Sequence, residues 1–276
     1  MAFSLADLRR AADELWPEAT AADWDRVGLV SGRNEAPLAR VLLAVDAVAE
    51  TVEEATEWDA DVLLTHHPLL LRGVTTLAED TAKGALLGDL IRSGIALYSA
   101  HTNADAPAGG VSDRIARALG LIEPSPIEVG TGPDHGIGRV GDIEETSLAV
   151  FAERVAAVLP ATVTGVRVAG DPERVIRRVA LCGGAGDSLL GHPLVTSADV
   201  YVTADLRHHP AQESLELSLV AGGPALIDVS HWASEWLWLD RAAEQLAERL
   251  PGVEFRVSTR RTDVWDFAVG QHPHLP

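Results

Sequence analysis

The stretch Asp61-Val-Leu-Leu-Thr-His66-His67-Pro68 is an apolar strand that stops abruptly in two histidines. Val62, Leu63 and Leu64 form a short continuous apolar run, as expected for a strand covered on both faces in a parallel sheet. In open α/β sheets ligands bind at the carboxyl ends of the strands, and Pro68 halts this strand there. Two further runs finish in the same manner. Ile95-Ala-Leu-Tyr98 leads into Ser99-Ala-His101-Thr-Asn-Ala-Asp105, and Ala225-Leu-Ile-Asp-Val229 leads into Ser230-His231-Trp-Ala-Ser-Glu235. Together the three strand ends supply His66, His67, His101, Asp105, His231 and Glu235, a ligand set larger than one metal ion needs.

Charge narrows the choice of partner. With 22 basic and 41 acidic residues the formal net charge is −19, and no Lys/Arg cluster offers a nucleic-acid footprint. An anionic ligand would need bound cations to invert the local field. The single cysteine, Cys182, excludes an intramolecular disulfide framework and fits a reducing compartment. The N-terminus lacks the basic-then-apolar order of a signal peptide, and no apolar run approaches ~18 residues. The expectation is a cytoplasmic protein with no membrane contact.

Along the chain, residues 4–15 form an amphipathic pattern opened by Ser4, with Leu5, Leu8, Ala12 and Leu15 on one face. Trp24 to Gly32 predicts loop and short strand, Arg40 to Val45 a strand ending at Asp46, and 48–57 a helix. Helices near 80–92 and 111–119 follow. A Pro/Gly-rich passage at roughly 124–138 marks the clearest boundary, which divides the chain into 1–127 and 128–276. Beyond it the pattern partly repeats. Val41 and Val62 stand 21 residues apart, as do Val179 and Val200. Arg40-Val-Leu-Leu-Ala matches Arg178-Val-Ala-Leu-Cys182, and Ala60-Asp-Val-Leu-Leu-Thr65 matches Ala198-Asp-Val-Tyr-Val-Thr203. Each second strand leads to a His-His-Pro, at 66–68 and at 208–210, and then to a strand ending in a histidine. The expected fold is therefore α/β: two related halves from an internal duplication, with a dinuclear metal site at strand carboxyl ends. The second half adds a helix near 147–158, a strand near 163–168, a last helix from His231 to Leu250 and a strand from Val253 to Val257.

The individual residues carry distinct chemistry. His231 and Glu235, at i and i+4, project from one helix face. Adjacent histidines in a strand point to opposite faces, so His66 and His67 do not easily chelate one ion unless the backbone turns; they can serve two neighbouring ions, one each. Asp105 adds a hard oxygen ligand that suits Zn, Mn, Fe or Mg. His208 and His209 lie in a polar loop, either solvated or facing a substrate. Cys182-Gly-Gly-Ala-Gly-Asp187 is a glycine-rich turn without the Lys-Ser/Thr of a phosphate-binding loop, and Cys182 is a small buried residue rather than a nucleophile. Trp232, Trp236 and Leu239 share a helical face and are core. Asp25 could reach the site, but nothing in the sequence requires it.

Trp24-Asp-Arg-Val-Gly28, Leu64-Thr-His-His-Pro68, Ala100-His-Thr-Asn-Ala-Asp105, Gly136-Ile-Gly-Arg-Val-Gly141, Cys182-Gly-Gly-Ala-Gly186 and His231-Trp-Ala-Ser-Glu235 resemble the motifs of the Nif-three-like dinuclear-metal family. Its bacterial members are often described as GTP cyclohydrolase I type II homologues. The resemblance spans about residues 5–262. It implies a duplicated α/β fold, two divalent metal ions per chain and a homohexameric toroid. It further implies that His67 and Asp105 bind one metal, that His66 and His231 bind the other, and that Glu235 bridges them. His101 would stand beside the metals, as an outer partner or a proton shuttle. The duplication, rather than the resemblance, makes His208 and His209 substrate or proton-transfer groups that hold no metal. Ser230 replaces a usual glycine and Ala204 stands within a usual Thr-Gly-Asp; neither is a ligand. The implied activity is hydrolytic opening of a purine nucleotide ring by a metal-bridging hydroxide. The alternatives are a phosphoesterase acting on another substrate, or a non-catalytic metal-binding or regulatory scaffold.

Overall fold

The computed structural model describes residues 2–132 and 134–270. The protein is mixed α/β. In chain order its principal elements are α1 (Leu5–Leu15), β1 (Gly28–Ser31), β2 (Arg40–Ala44), α2 (Ala49–Glu57), β3 (Val62–Thr65), α3 (Ala82–Arg92), β4 (Ala96–Ser99), α4 (Thr102–Asp105), β5 (Ile122–Ser125), β6 (Arg139–Ser147), α5 (Leu148–Val158), β7 (Arg167–Ala169), β8 (Val175–Ala185), β9 (Val200–Ala204), α6 (His208–Ala221), β10 (Ala225–Val229), α7 (His231–Arg249) and β11 (Glu254–Val257). Residues 208–221 form a helix, and the polar loop expected from the sequence is its first turn. Pro210 is tolerated there because first-turn N–H groups have no intrahelical partner.

Two compact units result. The first comprises Met1–Ile115, Glu128–Gly138 and Glu235–Thr262, the second Ala116–Ile127, Arg139–Ser234 and Asp263–Pro276. They differ from the consecutive stretches 1–127 and 128–276. The physical reason is β11, which pairs with β2 in parallel, Phe255 opposite Val41 and Val257 opposite Leu43. A late segment thereby joins an early sheet.

The first unit's sheet has the order β11-β2-β3-β4-β1, parallel except for β1. Every residue of β3 and β4 is buried, which explains their uninterrupted apolar character. Leu42, Leu63 and Leu97 pack with Val52 and Ala55 of α2 and Leu87 and Leu90 of α3. Each such leucine contributes about 1.5–3 kcal/mol. At the amino end, Asp61 Oδ2 accepts hydrogen bonds from Ala39 N (2.6 Å) and Arg40 N (2.9 Å), fixing β2 against β3. Gly32 has φ +125°, and a Cβ there would lie 2.6 Å from Ala96 Cβ and 2.9 Å from Leu5 Cδ2.

The second unit's sheet runs β7-β10-β9-β8-β6-β5, with β8, β9 and β10 parallel. Val179 pairs with Val200 as Val41 pairs with Val62. Asp199 Oδ2 accepts from Arg177 N and Arg178 N, both at 2.8 Å. Gly170 has φ +150°, and its Cβ would meet Ala225 Cβ at 2.8 Å and Leu148 Cδ2 at 2.9 Å. In each sheet a leading helix, a glycine and the third parallel strand close together in the same way. The crossover helices differ. α3 buries Gly84, Leu87 and Leu90, whereas α6 buries no residue and exposes Leu217, Leu219 and Val220.

Candidate metal centre

The site in the first unit begins where β3 stops. Thr65 Oγ1 donates to His67 O at 2.8 Å and lies 3.1 Å from Ser99 Oγ. His66 N and His67 N continue onto Ala44 O (3.0 Å) and Val45 O (2.8 Å). The strand has ended by then, so the two imidazoles do not diverge to opposite faces. Their centroids are 5.2 Å apart, and His101 lies 5.1 Å from His66 and 5.4 Å from His67. His66, His67 and His101 each bring a ring nitrogen within 4.8 Å of the others'. Trp238, fully buried on α7, backs the His66 ring at 5.3 Å.

Each of these rings is anchored at its Nδ1. Nδ1 of His66 donates to Ala100 O (2.9 Å), that of His67 to Asp46 Oδ1 (2.7 Å) and that of His101 to Asp25 Oδ1 (2.9 Å). In the second unit, His231 Nδ1 donates to Asp205 Oδ2 at 2.8 Å. Carbonyl and carboxylate oxygens only accept, so each Nδ1 carries the proton. The outer partner thus fixes ring orientation and tautomer, as it does for metal-ligating histidines generally. Asp46 is itself held, accepting a hydrogen bond from Thr262 Oγ1.

His66 Nε2 tests whether these residues fit a cation. It is buried and has no hydrogen-bond partner among the described residues. Asp105 Oδ1 and Glu235 Oε1 each lie 3.6 Å from it. That is too long for a good hydrogen bond, but two ligands at about 2.1 Å from one tetrahedral ion stand roughly 3.4 Å apart. The second Glu235 oxygen, Oε2, lies 3.0 Å from His67 Nε2. Glu235 is only 4% exposed, and a buried carboxylate needs a compensating positive charge. The donor set fits a divalent cation. Asp105 stands against His66, whereas the family resemblance pairs it with His67; the α4 turn that follows His101 carries it to the His66 side.

Charges in the site act on each other strongly. Burial works to lower the His67 imidazole, but Glu235 and Asp46 on its two sides overcome this and hold it well above the usual histidine range. Burial pushes the Asp105 carboxyl up, against the pull of His66 and His101. Burial also opposes ionisation of Asp25, yet hydrogen bonds from His101 and Thr102 hold its carboxyl well below the usual range.

Of the residues expected from sequence, His66, His67, His101, Asp105 and Glu235 come together in the first unit. His231 opens α7 one turn before Glu235. His208 and His209 are exposed on the first turn of α6, their rings 5.1 Å apart, and belong to no described group of potential metal ligands. The residues that follow Thr203 as His66 and His67 follow Thr65 are Ala204 and Asp205, so the second histidine pair does not occupy the strand-end position expected for it. Sequence reasoning missed the roles of Asp46, Asp205 and Asp25. The first two sit directly after apolar strands, and the rule that located the histidines would have found them.

The family description Duf34/NIF3 (NGG1p interacting factor 3) matches residues 3–264. The chain belongs to the DUF34/NIF3 family. It is similar to the Streptomyces coelicolor protein named GTP cyclohydrolase 1 type 2 homolog, with 45% identity over 282 residues, covering 98% of this chain and 96% of the relative. A Mycobacterium tuberculosis protein of the same name is 34% identical over 375 residues, covering 96% of this chain and 97% of its own. That alignment exceeds the 276 residues of this DUF34/NIF3 chain, so the mycobacterial protein carries additional sequence. Among solved structures, a Staphylococcus aureus hypothetical protein superposes with TM-score 0.86 at 26% identity, covering 97% of this chain and 100% of that one. A Bacillus cereus protein related to NIF3 shares the fold with TM-score 0.86 at 23% identity, covering 96% and 99%. No helix among the described residues is long and apolar enough to cross a membrane.

Proposed function

We propose that the chain is a metal-dependent hydrolase that holds two divalent cations on His66, His67, Asp105, His231 and Glu235. The observation that carries this is the buried Nε2 of His66, which has no hydrogen-bond partner among the described residues and faces Asp105 Oδ1 and Glu235 Oε1 at 3.6 Å each. Glu235 presents one oxygen toward His66 and the other toward His67, which suits a bridging ligand. His66 and Asp105 would hold one cation and His67 the other, with His231 the further ligand that the family resemblance implies. When bound, such a pair supplies a hydroxide at neutral pH and stabilises developing negative charge. His101 is the proton-transfer group. His208 and His209 contribute to substrate handling without holding metal. The names of the relatives point to a purine nucleotide as substrate, with water adding at C8 and opening the five-membered ring. The buried Cys182 fits a reducing, cytoplasmic setting.

The alike registers, aspartates and glycines of the two sheets support an internal duplication in which the first copy kept the histidines. The chain also assembles with itself, as the exposed apolar end of α6 suggests. The test of function is elemental analysis joined to turnover. Protein prepared without chelator should contain about two divalent ions per chain. Glu235→Gln should lose both and Asp105→Asn mainly one, and the double replacement of His208 and His209 by Ala should keep both. Incubated with GTP, the loaded protein should abolish the purine absorbance. One ion per chain after reconstitution sinks the dinuclear reading, and an unchanged purine spectrum sinks the cyclohydrolase reading.

A further inference from the structure

Asp25 lies 76 residues before His101 in sequence. Its side chain is fully buried, and both carboxylate oxygens are occupied. Oδ1 accepts from His101 Nδ1 (2.9 Å) and Arg26 N (2.7 Å), and Oδ2 from Thr102 N (3.0 Å) and Thr102 Oγ1 (2.5 Å). Thr102 Oγ1 in turn accepts from Ala22 N at 2.9 Å. The loop 22–26 is thus clipped to the start of α4 at several points, and the carboxylate cannot rotate away from the imidazole. Trp24, beside Asp25 in sequence, packs edge-on against the His101 ring at 5.8 Å. His101 N donates to Asn103 Oδ1 at 3.0 Å, and Asn103 Nδ2 donates to Trp16 O at 2.7 Å. The ring is therefore fixed from its backbone as well as from its side chain.

His66, His67 and His231 also have anchored Nδ1 atoms, but each is assigned to a cation. His101 is assigned to none, and it brings a ring nitrogen within 4.8 Å of those of His66 and His67. An imidazole held by an ionised carboxylate on one nitrogen and open on the other is the arrangement that carries protons in hydrolases.

We propose that Asp25 is a positioning residue: it locks His101 in the Nδ1–H tautomer, so that an unprotonated Nε2 faces the reacting water. Nε2 then takes one proton from that water as its O–H bond breaks and its oxygen bonds to carbon, while the carbon–nitrogen double bond opens and that ring nitrogen receives the proton from Nε2. When the carbon's bond to the other ring nitrogen breaks, the added hydroxyl becomes the carbonyl and Nε2 passes its proton to the leaving nitrogen, so that each nitrogen ends with one of the water's two protons. No proton moves to Asp25, which stabilises the imidazolium in between. This rests on the hydrolase reading for the proton transfer, while the tautomer assignment stands on geometry alone.

The experiment is long-range nitrogen–proton NMR on zinc-loaded full-length protein labelled with 15N-histidine, with His101 assigned by its disappearance in His101→Gln. Wild-type protein should show His101 with a protonated Nδ1 and a bare, metal-free Nε2. Asp25→Ala should turn this into a mixture dominated by Nε2–H, with the zinc content unchanged. With GTP as the probe it should lower kcat about 10²–10⁴-fold. A protonated Nε2 in the wild type, or zinc on that nitrogen, overturns the proposal. So does an unchanged tautomer in Asp25→Ala. The wild-type spectrum alone decides should that variant fail to fold. If GTP is untouched by the wild-type protein, the hydrolase reading fails while the tautomer result still judges the role of Asp25.

Discussion

The two sheets have nearly the same framework and opposite chemistry at their carboxyl ends. At the amino ends, Asp61 and Asp199 each bind two backbone amides of the neighbouring strand, and Gly32 and Gly170 each admit a leucine and an alanine at distances no side chain would allow. At the carboxyl ends, Thr65 is followed by two histidines and Thr203 by Ala204 and Asp205. The crossover helices diverge too, α3 burying three residues and α6 none. The difference teaches that strand-packing constraints hold the amino ends alike, while the loop ends, free of those constraints, specialise. Asp205, at φ +55°, marks this second route. It adopts a left-handed conformation that aspartate tolerates better than most residues, and it orients His231 instead of serving as a strand-end imidazole.

The largest expected effect comes from giving the first sheet the second sheet's residues. His66→Ala with His67→Asp should weaken zinc affinity more than about 100-fold, beyond what loss of an outer partner alone costs, as measured by competition with a chelator. The converse change, Ala204→His with Asp205→His, should add no third ion. A third equivalent of bound zinc would break the contrast, because it would mean the second framework was equally ready for metal. Next come the glycines. Gly32→Val and Gly170→Val each combine an unfavourable φ with overpacking, and each should cost about 2–4 kcal/mol in urea unfolding. Costs that differ widely between the sheets would show that the amino ends are not equivalent. The smallest effect on folding belongs to α6. Leu219→Glu with Val220→Glu should change protomer stability by less than about 0.5 kcal/mol yet shift sedimentation toward smaller species. An unchanged sedimentation profile would leave α6 without a role in assembly.

Much of this was legible because buried parallel strands have little choice of residue. Leu42 to Ala44, Val62 to Leu64 and Ala225 to Ile227 are apolar on both faces, so strand, spacing and functional end could be located together. Ser4 and the apolar face of α1 fixed the first helix in the same direct way. Less was visible where the deciding contact is remote. Nothing near Asp25 announces a partner 76 residues away, and nothing near Asp105 says which histidine it faces. α6 is hard to read from the sequence because Leu215, Leu217 and Leu219 alternate instead of following a helical period, as fits a helix that buries no residue. The chain's division was obscured for another reason. A Pro/Gly-rich passage at 124–138 announces a break, but only the pairing of β11 with β2 shows where residues 254–257 go.

That pairing has a kinetic consequence. Arg40 lies opposite Glu254, and Glu235 reaches the first sheet's histidines from the same late part of the sequence. At roughly 5–20 residues per second, the ribosome needs on the order of 10–40 s to extend from one strand to its partner. Throughout that interval the nascent sheet has β2 as an open edge, ready to pair with a stranger, and the histidines lack their buried carboxylate. The loop that must close is long, which slows the final docking further. Metal should therefore arrive late, on a chain almost entirely synthesised, and a pulse of zinc given to ribosome-bound chains halted before Glu235 should leave them no more protected from protease than without it.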